Sequence, residues 1–395
     1  MSKKFPDISH LTAGFTAVLV GYSGAVVIVI QAAKAAGATP DMVVSWLLVL
    51  GIGMGITCIG YSWLYKVPVV TAWSTPGAAF LIGTVGDFTL HEVIGAFIIS
   101  SCLGLLAARS RLITQFISRI PASISSAMLA GILLPICLRV FTDAADMPLL
   151  VTGFIGVYLI GSVLFPRYLM LALIALALIV SITSLDGATN ELQFTLPSLV
   201  WVTPSFSIGA TVSLAIPLFI ITLLSQNLPG IAILKSYDYH PDIKQVLTGV
   251  SIINIITAPF GGFAFNLAAI TAAICMTEDA GSDRAKRYWA AIIAGVFYLL
   301  FGLFATLVVV LFSLMPEVIT HILAGLALLA TFTASVQRSL ELPEHRKAAM
   351  MTLLCSASGI SVIQLGAPVW GVFLGLLVLG LEQGKAGLFG YKKRA

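Results

Sequence analysis

Neutral polar side chains recur inside apolar runs of this chain: Tyr22, Ser23, Ser74, Thr75, Ser225, Gln226, Asn227 and Asn266, with Trp73, Phe263 and Phe265 beside them. None carries a charge at neutral pH, so what they offer is hydrogen bonding next to aromatic faces. Such a set suits a planar carboxylate, whose charge is received by neutral donors while rings hold its apolar body. A single Ser or Thr of this kind also serves as glue between helices. Adjacent Gln226 and Asn227 are different, because two amides are costly to bury without partners and Pro229 removes a backbone hydrogen bond nearby.

Catalytic chemistry has no visible apparatus here. There is no H-E-x-x-H or G-x-S-x-G motif and no carboxylate pair on one helical face. Every Asp, Glu, Lys and Arg falls in a loop or at a span end. His10, His91, His240 and His345 lie in or next to loops, and His321 lies in the first turn or so of a span, where a histidine is more often solvated than a proton carrier. Cys58, Cys102, Cys137, Cys275 and Cys355 are scattered through apolar runs without a C-x-x-C pair and read as packing residues. No catalytic residue, metal site or cofactor is expected, which favours transport over catalysis.

The polar groups need elements to hold them, and the central one is Val67–Gly86 (VPVVTAWSTPGAAFLIGTVG). Its first residues are β-branched and begin with a proline, so they read as extended. Ser74 or Thr75 can cap a following helix, Pro76 fits its first position, and the run to Ile82 is too short to cross a bilayer. Broken backbone at membrane depth survives only inside protein or beside a water-filled cavity. A half-helix start there offers free N–H groups and partial positive charge, the geometry of a transporter for an anionic or strongly polar molecule. Gly261–Met276 (GGFAFNLAAITAAICM) repeats the layout, with Asn266 expected to cap a half-helix over Leu267–Cys275.

Composition supplies the setting. The 395 residues are 59% hydrophobic and 10% charged, against about 25% charged in soluble domains, and mean hydropathy is +1.04. The N-terminus MSKKFPDISH runs into the first span with no small-residue cleavage site, and no charge run suggests nucleic acid. Spans are expected at 11–33, 42–64, 67–86 (broken), 91–108, 121–138, 148–165, 168–184, 208–234, 246–259, 261–277 (broken), 288–313, 317–337, 348–364 and 367–383, fourteen in all. With both termini cytoplasmic, this count leaves only Lys34 and Arg139 of the 21 Lys and Arg on the outer side. The broken segments are third in each set of seven, and an odd number per half makes the repeat inverted. Gly21-Tyr22-Ser23-Gly24 in the first span corresponds in layout, with slight residue identity, to Ser225-Gln226-Asn227-Leu228-Pro229-Gly230 in the eighth. Gly51-x-x-x-Gly55 and Gly371-x-x-x-Gly375 read as close-packing faces, Trp63, Trp201 and Trp289 as interface anchors, and Asp186–Ser207 as the external link between halves.

TAWSTPGAA (Thr71–Ala79), PLFIITLLSQNLPGIAIL (Pro217–Leu234), AAITAAIC (Ala268–Cys275) and MLAGILLP (Met128–Pro135) resemble the benzoate:proton symporter (BenE) family of bacterial inner membranes, across essentially the whole chain. That family is related to the uracil permease and the sulfate-type anion carriers. The resemblance implies an all-α polytopic membrane fold of fourteen segments in a 7+7 inverted repeat. It implies a core domain from residues 1–110 and 201–313 (spans 1–4 and 8–11), and a gate domain from 111–200 and 314–395 (spans 5–7 and 12–14). Core would move against gate in an elevator-type cycle, with dimerisation through the gate.

Substrate contacts are implied at Trp73, Ser74, Thr75 and Gly77, at Gln226 and Asn227, and at Phe265 and Asn266, joined by Tyr22 and Ser23 from the first span. Where the nucleobase branch has acidic residues, this chain has Gln226, Asn227 and Asn266, none of which titrates. Proton coupling then requires either a substrate that brings its own proton or a loop-end group such as Glu92 or His321. The expected function is import of benzoate or a similar aromatic carboxylate with protons. A carrier for a nucleobase or inorganic anion, and a channel on the same fold, stand as alternatives.

Overall fold

The computed structural model describes residues 6–110, 121–143, 147–184, 195–363 and 365–391. Lys3, Lys4, Arg111, Arg119 and the C-terminal cations 392–394, all used in the count of Lys and Arg, lie outside the described residues, as do Asp146, Asp186 and Glu191. The chain forms α1 (Ile8–Ser23), α2 (Val26–Ala35), α3 (Pro40–Tyr65), β1 (Thr71–Trp73), α4 (Thr75–Thr84) and α5 (Leu90–Arg109). Then follow α6 (Ala122–Thr142), α7 (Pro148–Leu164), α8 (Leu169–Ser184) and the long α9 (Ile208–Ser236). After α10 (Ile243–Thr257) come β2 (Phe265–Leu267), α11 (Ile270–Ile274), α12 (Tyr288–Leu303) and α13 (Ala305–Ser313). The last elements are α14 (Glu317–Leu340), α15 (Arg346–Ala357), the hairpin β3 (Ser361–Val362) and β4 (Leu365–Gly366), and α16 (Ala367–Tyr391). Among the described residues nine helices are long and apolar enough to cross a membrane, and two shorter apolar helices accompany them.

Helix ends follow local chemistry. Thr39 caps α3 with Pro40 at its start, and Thr89 caps α5 while Glu92 reaches back to the Thr89 N–H in a capping box. The long α9 contains π turns at Thr211–Ala215 and Leu223–Asn227, each closed two residues before a proline, Pro217 or Pro229. A proline has no N–H for the carbonyl four residues back, and widening the preceding turn is how the helix absorbs that gap. The second π turn is the one that carries Ser225, Gln226 and Asn227.

Small residues set the closest helix contacts. A Cβ on Gly51 would stand 2.7 Å from Tyr298 O and 2.9 Å from Gly302 Cα, so α3 and α12 touch backbone to backbone at the G-x-x-x-G face. Several boundaries differ from the sequence reading. The first expected span is two helices parted at Gly24–Ala25, and the 288–313 span is two helices parted at Phe304. The expected span 348–364 ends at Ala357, where the chain turns through Gly359 at φ +67° into the β3–β4 hairpin. Of the link between halves, the described part lies against the helices: Val200 N–H donates to Ser45 Oγ, Val202 N–H to Pro259 O and Ser205 N–H to His91 O.

Candidate substrate site

The centre of the molecule is a two-stranded antiparallel ribbon made from the two broken segments. Thr71 pairs with Leu267, Ala72 with Asn266 and Trp73 with Phe265. Ser74 N–H to Ala264 O (2.9 Å) and Ala268 N–H to Val70 O (3.0 Å) extend the ladder at both ends. Each strand has an outer edge that no third strand covers, and side chains cover it instead. On β1, Ser62 Oγ accepts from Val69 N–H at 3.1 Å and donates to Val69 O at 3.0 Å, while Cys58 Sγ accepts from Thr71 N–H at 3.2 Å. On β2, the Asn254 amide donates to Phe265 O at 2.8 Å and accepts from Phe265 N–H at 3.2 Å, and Asn227 Oδ1 accepts from Leu267 N–H at 3.0 Å. An unpaired backbone group in hydrocarbon costs several kcal/mol. These side chains are what allow extended backbone at this depth.

Two expectations are corrected here. Asn266 does not cap a half-helix, because it lies within β2, and the helix that follows, α11, is five residues long and starts after Ala269 with no side-chain cap. Cross-strand pairing to Ala72 captures Asn266 in extended form and delays the helix. Cys58, read as a packing residue, is a strand-edge partner, and Thr57 beside it meets Thr71 Oγ1 at 2.6 Å. The first half-helix is as expected: Ser74 Oγ accepts from Gly77 N–H at 3.1 Å and Pro76 sits in the first turn. The two helix starts leave opposite ends of the ribbon, whose ladder from Val70 to Ser74 runs roughly 14 Å at ~3.4 Å per residue.

The remaining candidates divide between faces. Tyr22 stacks on Phe301 (centroids 4.7 Å, 22°) and tilts against Trp73 (4.9 Å). Phe263 instead joins Trp46 and Phe97 in a separate cluster. By strand alternation, Ala72 and Asn266 project from the ribbon face opposite Trp73 and Phe265. Asn266 is fully buried, and neither atom of its amide has a hydrogen-bond partner among the described residues; the same holds for the buried Tyr22 hydroxyl. Ser23 Oγ turns back to Val20 O, and Thr75 and Gln226 are half-buried. Asn227 and Phe265 border a cavity of about 250 Å³ between α5, α9 and α10, which also reaches Asn254.

A second cavity, about 150 Å³ and wholly apolar, lies between α1, α8 and α12–α13, with Tyr22, Ser23, Leu178, Phe301 and Val308 in its wall. An apolar cavity of about 150 Å³ accepts a benzene ring. Sequence reading missed Asn254, Cys58, Ser62 and Phe301. Asn254 did leave a signal, a lone amide within the apolar run 246–260; the other three are indistinguishable from packing residues.

The backbone resembles solved anion transporters. The transmembrane domain of a cyanobacterial bicarbonate transporter, BicA, matches with a TM-score of 0.57 at 13% identity, over 93% of this chain and 96% of that one. The murine Slc26a9 anion transporter in its inward-facing state matches with a TM-score of 0.55 at 13% identity, over 97% of this chain and 70% of that one. At such identities the likeness is one of fold alone, that of a polytopic, mostly helical membrane protein.

Sequence relatives carry the family. The family model described as "Benzoate membrane transport protein" (BenE) matches residues 4–381, and the chain belongs to that family. It is 36% identical over 373 residues to the benzoate membrane transport protein of Acinetobacter baylyi, covering 94% of each chain. It is 37% identical over 365 residues to the inner membrane protein YdcO of Escherichia coli, covering 92% of this chain and 93% of that protein.

Proposed function

We propose that this protein imports benzoate or a similar aromatic carboxylate across a bacterial inner membrane together with protons. The observation that carries this reading is the ring-sized apolar cavity walled by Tyr22 and Phe301; the Tyr22 hydroxyl, buried out of that space, has no partner among the described residues. The aromatic ring occupies that cavity, and its carboxylate turns toward Tyr22, Ser23 and the ribbon. Trp73, against Tyr22, is the nearest of the other candidates, and Ser74, Thr75, Gly77, Gln226, Asn227, Phe265 and Asn266 are assigned to the rest of the path. The name of the Acinetobacter relative supports benzoate over a nucleobase or an inorganic anion.

The same reading extends to an elevator-type cycle. α1 and α12–α13 belong to the core (1–110 and 201–313) and α8 to the gate (111–200 and 314–395), so a guest between them rides with one domain past the other. This division, the fourteen-segment 7+7 inverted repeat, cytoplasmic termini and dimerisation through the gate form one consistent scheme. Purified protein in liposomes is expected to take up labelled benzoate saturably, faster with acid outside, and uracil or sulfate in excess is expected not to compete. Flux that never saturates would mean a channel, and no uptake across a panel of aromatic acids would end the benzoate reading.

A further inference from the structure

We infer that the mouth of the seam between core and gate holds a second carboxylate site, opened by a proton on His321. The inference rests on the carrier reading above. A cavity of about 470 Å³ is lined there by Gln31 and Lys34 of α2, Arg139 of α6, and Glu317, Thr320 and His321 of α14. Lys34 and Arg139 are the two cations that the span count leaves on the outer side, and both face this one space. Gln31 Nε2 is buried there with no partner among the described residues.

The hydrogen bonds assign the protonation of His321. Arg139 Nη1 lies 3.1 Å from His321 Nε2, and a guanidinium can only donate. His321 Nε2 must therefore accept, which makes the ring neutral with its proton on Nδ1. That proton is donated to Asp143 Oδ2 at 2.9 Å. A second proton, on Nε2, sets two donors against each other and breaks the Arg139 contact. Glu317 Oε1 stands 3.5 Å from the same nitrogen and receives the new N–H. Arg139 is then free to present its planar fork to a carboxylate, with Lys34 adding charge from across the seam.

Formal charge supports the coupling. With neutral His321, Lys34 and Arg139 balance Asp143 and Glu317; one added proton and one added carboxylate restore that balance. Each therefore favours the other's binding, and the linkage is reciprocal. Of the other elements packed on α14, α8 carries no titratable group and α7 carries Tyr158. Cys355 of α15 is turned to Ala367 O, Arg346 binds Leu340 O at the far end of α14, and the Pro343–His345 turn at that same far end carries Glu344 and His345, the latter on Ser123 Oγ. Histidine changes charge between about pH 5 and 8, where a carboxylic acid of ordinary strength stays ionised.

The test is equilibrium dialysis of purified, detergent-solubilised protein against labelled benzoate. Wild type is expected to bind two benzoates per chain at pH 5.5 and one at pH 7.5. His321→Gln, which cannot take the second proton, is expected to bind one at both values. Arg139→Gln and the exposed, fold-neutral Lys34→Gln are expected to weaken the pH-dependent site, the former about 10- to 100-fold. Tyr22→Leu should lose the other site and keep this one. Identical stoichiometry in wild type and His321→Gln at both pH values overturns the mouth site and leaves the carrier reading intact. Absence of all benzoate binding in wild type overturns the carrier reading and this site with it.

Discussion

Asn254 holds Phe265 by both ends of its amide, donating to the carbonyl at 2.8 Å and accepting from the N–H at 3.2 Å. It stands in for a third strand. Asn254→Leu leaves both backbone groups unpaired in a buried edge, at about 1–3 kcal/mol each, so the variant is expected to melt several degrees lower in detergent and to lose benzoate uptake. Asn254→Gln, longer by one methylene, cannot reach both atoms at once and should fall between. A melting point equal to wild type in Asn254→Leu would show that the ribbon does not depend on this clamp.

Much of the architecture was legible because composition and periodicity are strong in lipid. The order of apolar segments, the extended stretch before Ser74 and the Ser74 cap all follow from residue type over short distances. What was not legible is long-range. Asn266 looked like a cap because local preference sees Asn before an apolar run. It cannot see Ala72, nearly two hundred positions away, holding that residue in a strand. Cys58 looked like packing, and Ser62 was not singled out, for the same reason: their partners, Thr71 and Val69, face them only once α3 lies along β1. Phe301 is one aromatic among many until Tyr22 stacks on it.

Cys58 separates hydrogen bonding from packing on the other strand. Cys58→Ser retains an acceptor for Thr71 N–H within the same small volume, whereas Cys58→Val fills the space and removes it. The valine variant is expected to be the less stable by about 1–2 kcal/mol, measured as a melting-point difference in detergent. Equal stability of the two would reduce Cys58 to a packing residue.

The turn between α9 and α10 carries a lock with a predictable pH response. Asp238 is held below the usual carboxylate range by the hydrogen bonds of His240 first and of Arg284 second. Arg284 also donates to the Tyr237 and Asp238 carbonyls. Because the folded-state pKa is depressed, the stabilisation exists above the unfolded carboxylate value of about 3.9 and disappears as pH falls through the lower, folded value. Asp238→Asn should therefore speed amide exchange over residues 237–242 near neutrality. Wild type and variant should converge when exchange is measured in acid below both values. A difference that persists there would trace the protection to packing instead of charge.

Filling the apolar cavity beside Tyr22 and Phe301 gives the sharpest test of where the aromatic ring sits. Val308 lines that space with Tyr22 and Phe301, and Val308→Phe adds volume that an empty apolar cavity can absorb without strain. The variant is expected to be as stable as wild type or slightly more so, because the new ring buries apolar surface. Benzoate affinity should nonetheless fall at least 10-fold, since the space a phenyl group would occupy is taken. Phe301→Ala should do the reverse to size selectivity, enlarging the cavity so that para-substituted benzoates gain on benzoate itself. Both readouts come from binding, so they hold whatever movement carries the guest. Undiminished benzoate affinity in a folded Val308→Phe protein would place the ring elsewhere, with the roughly 250 Å³ space bordered by Asn227 and Phe265 as the next position to fill.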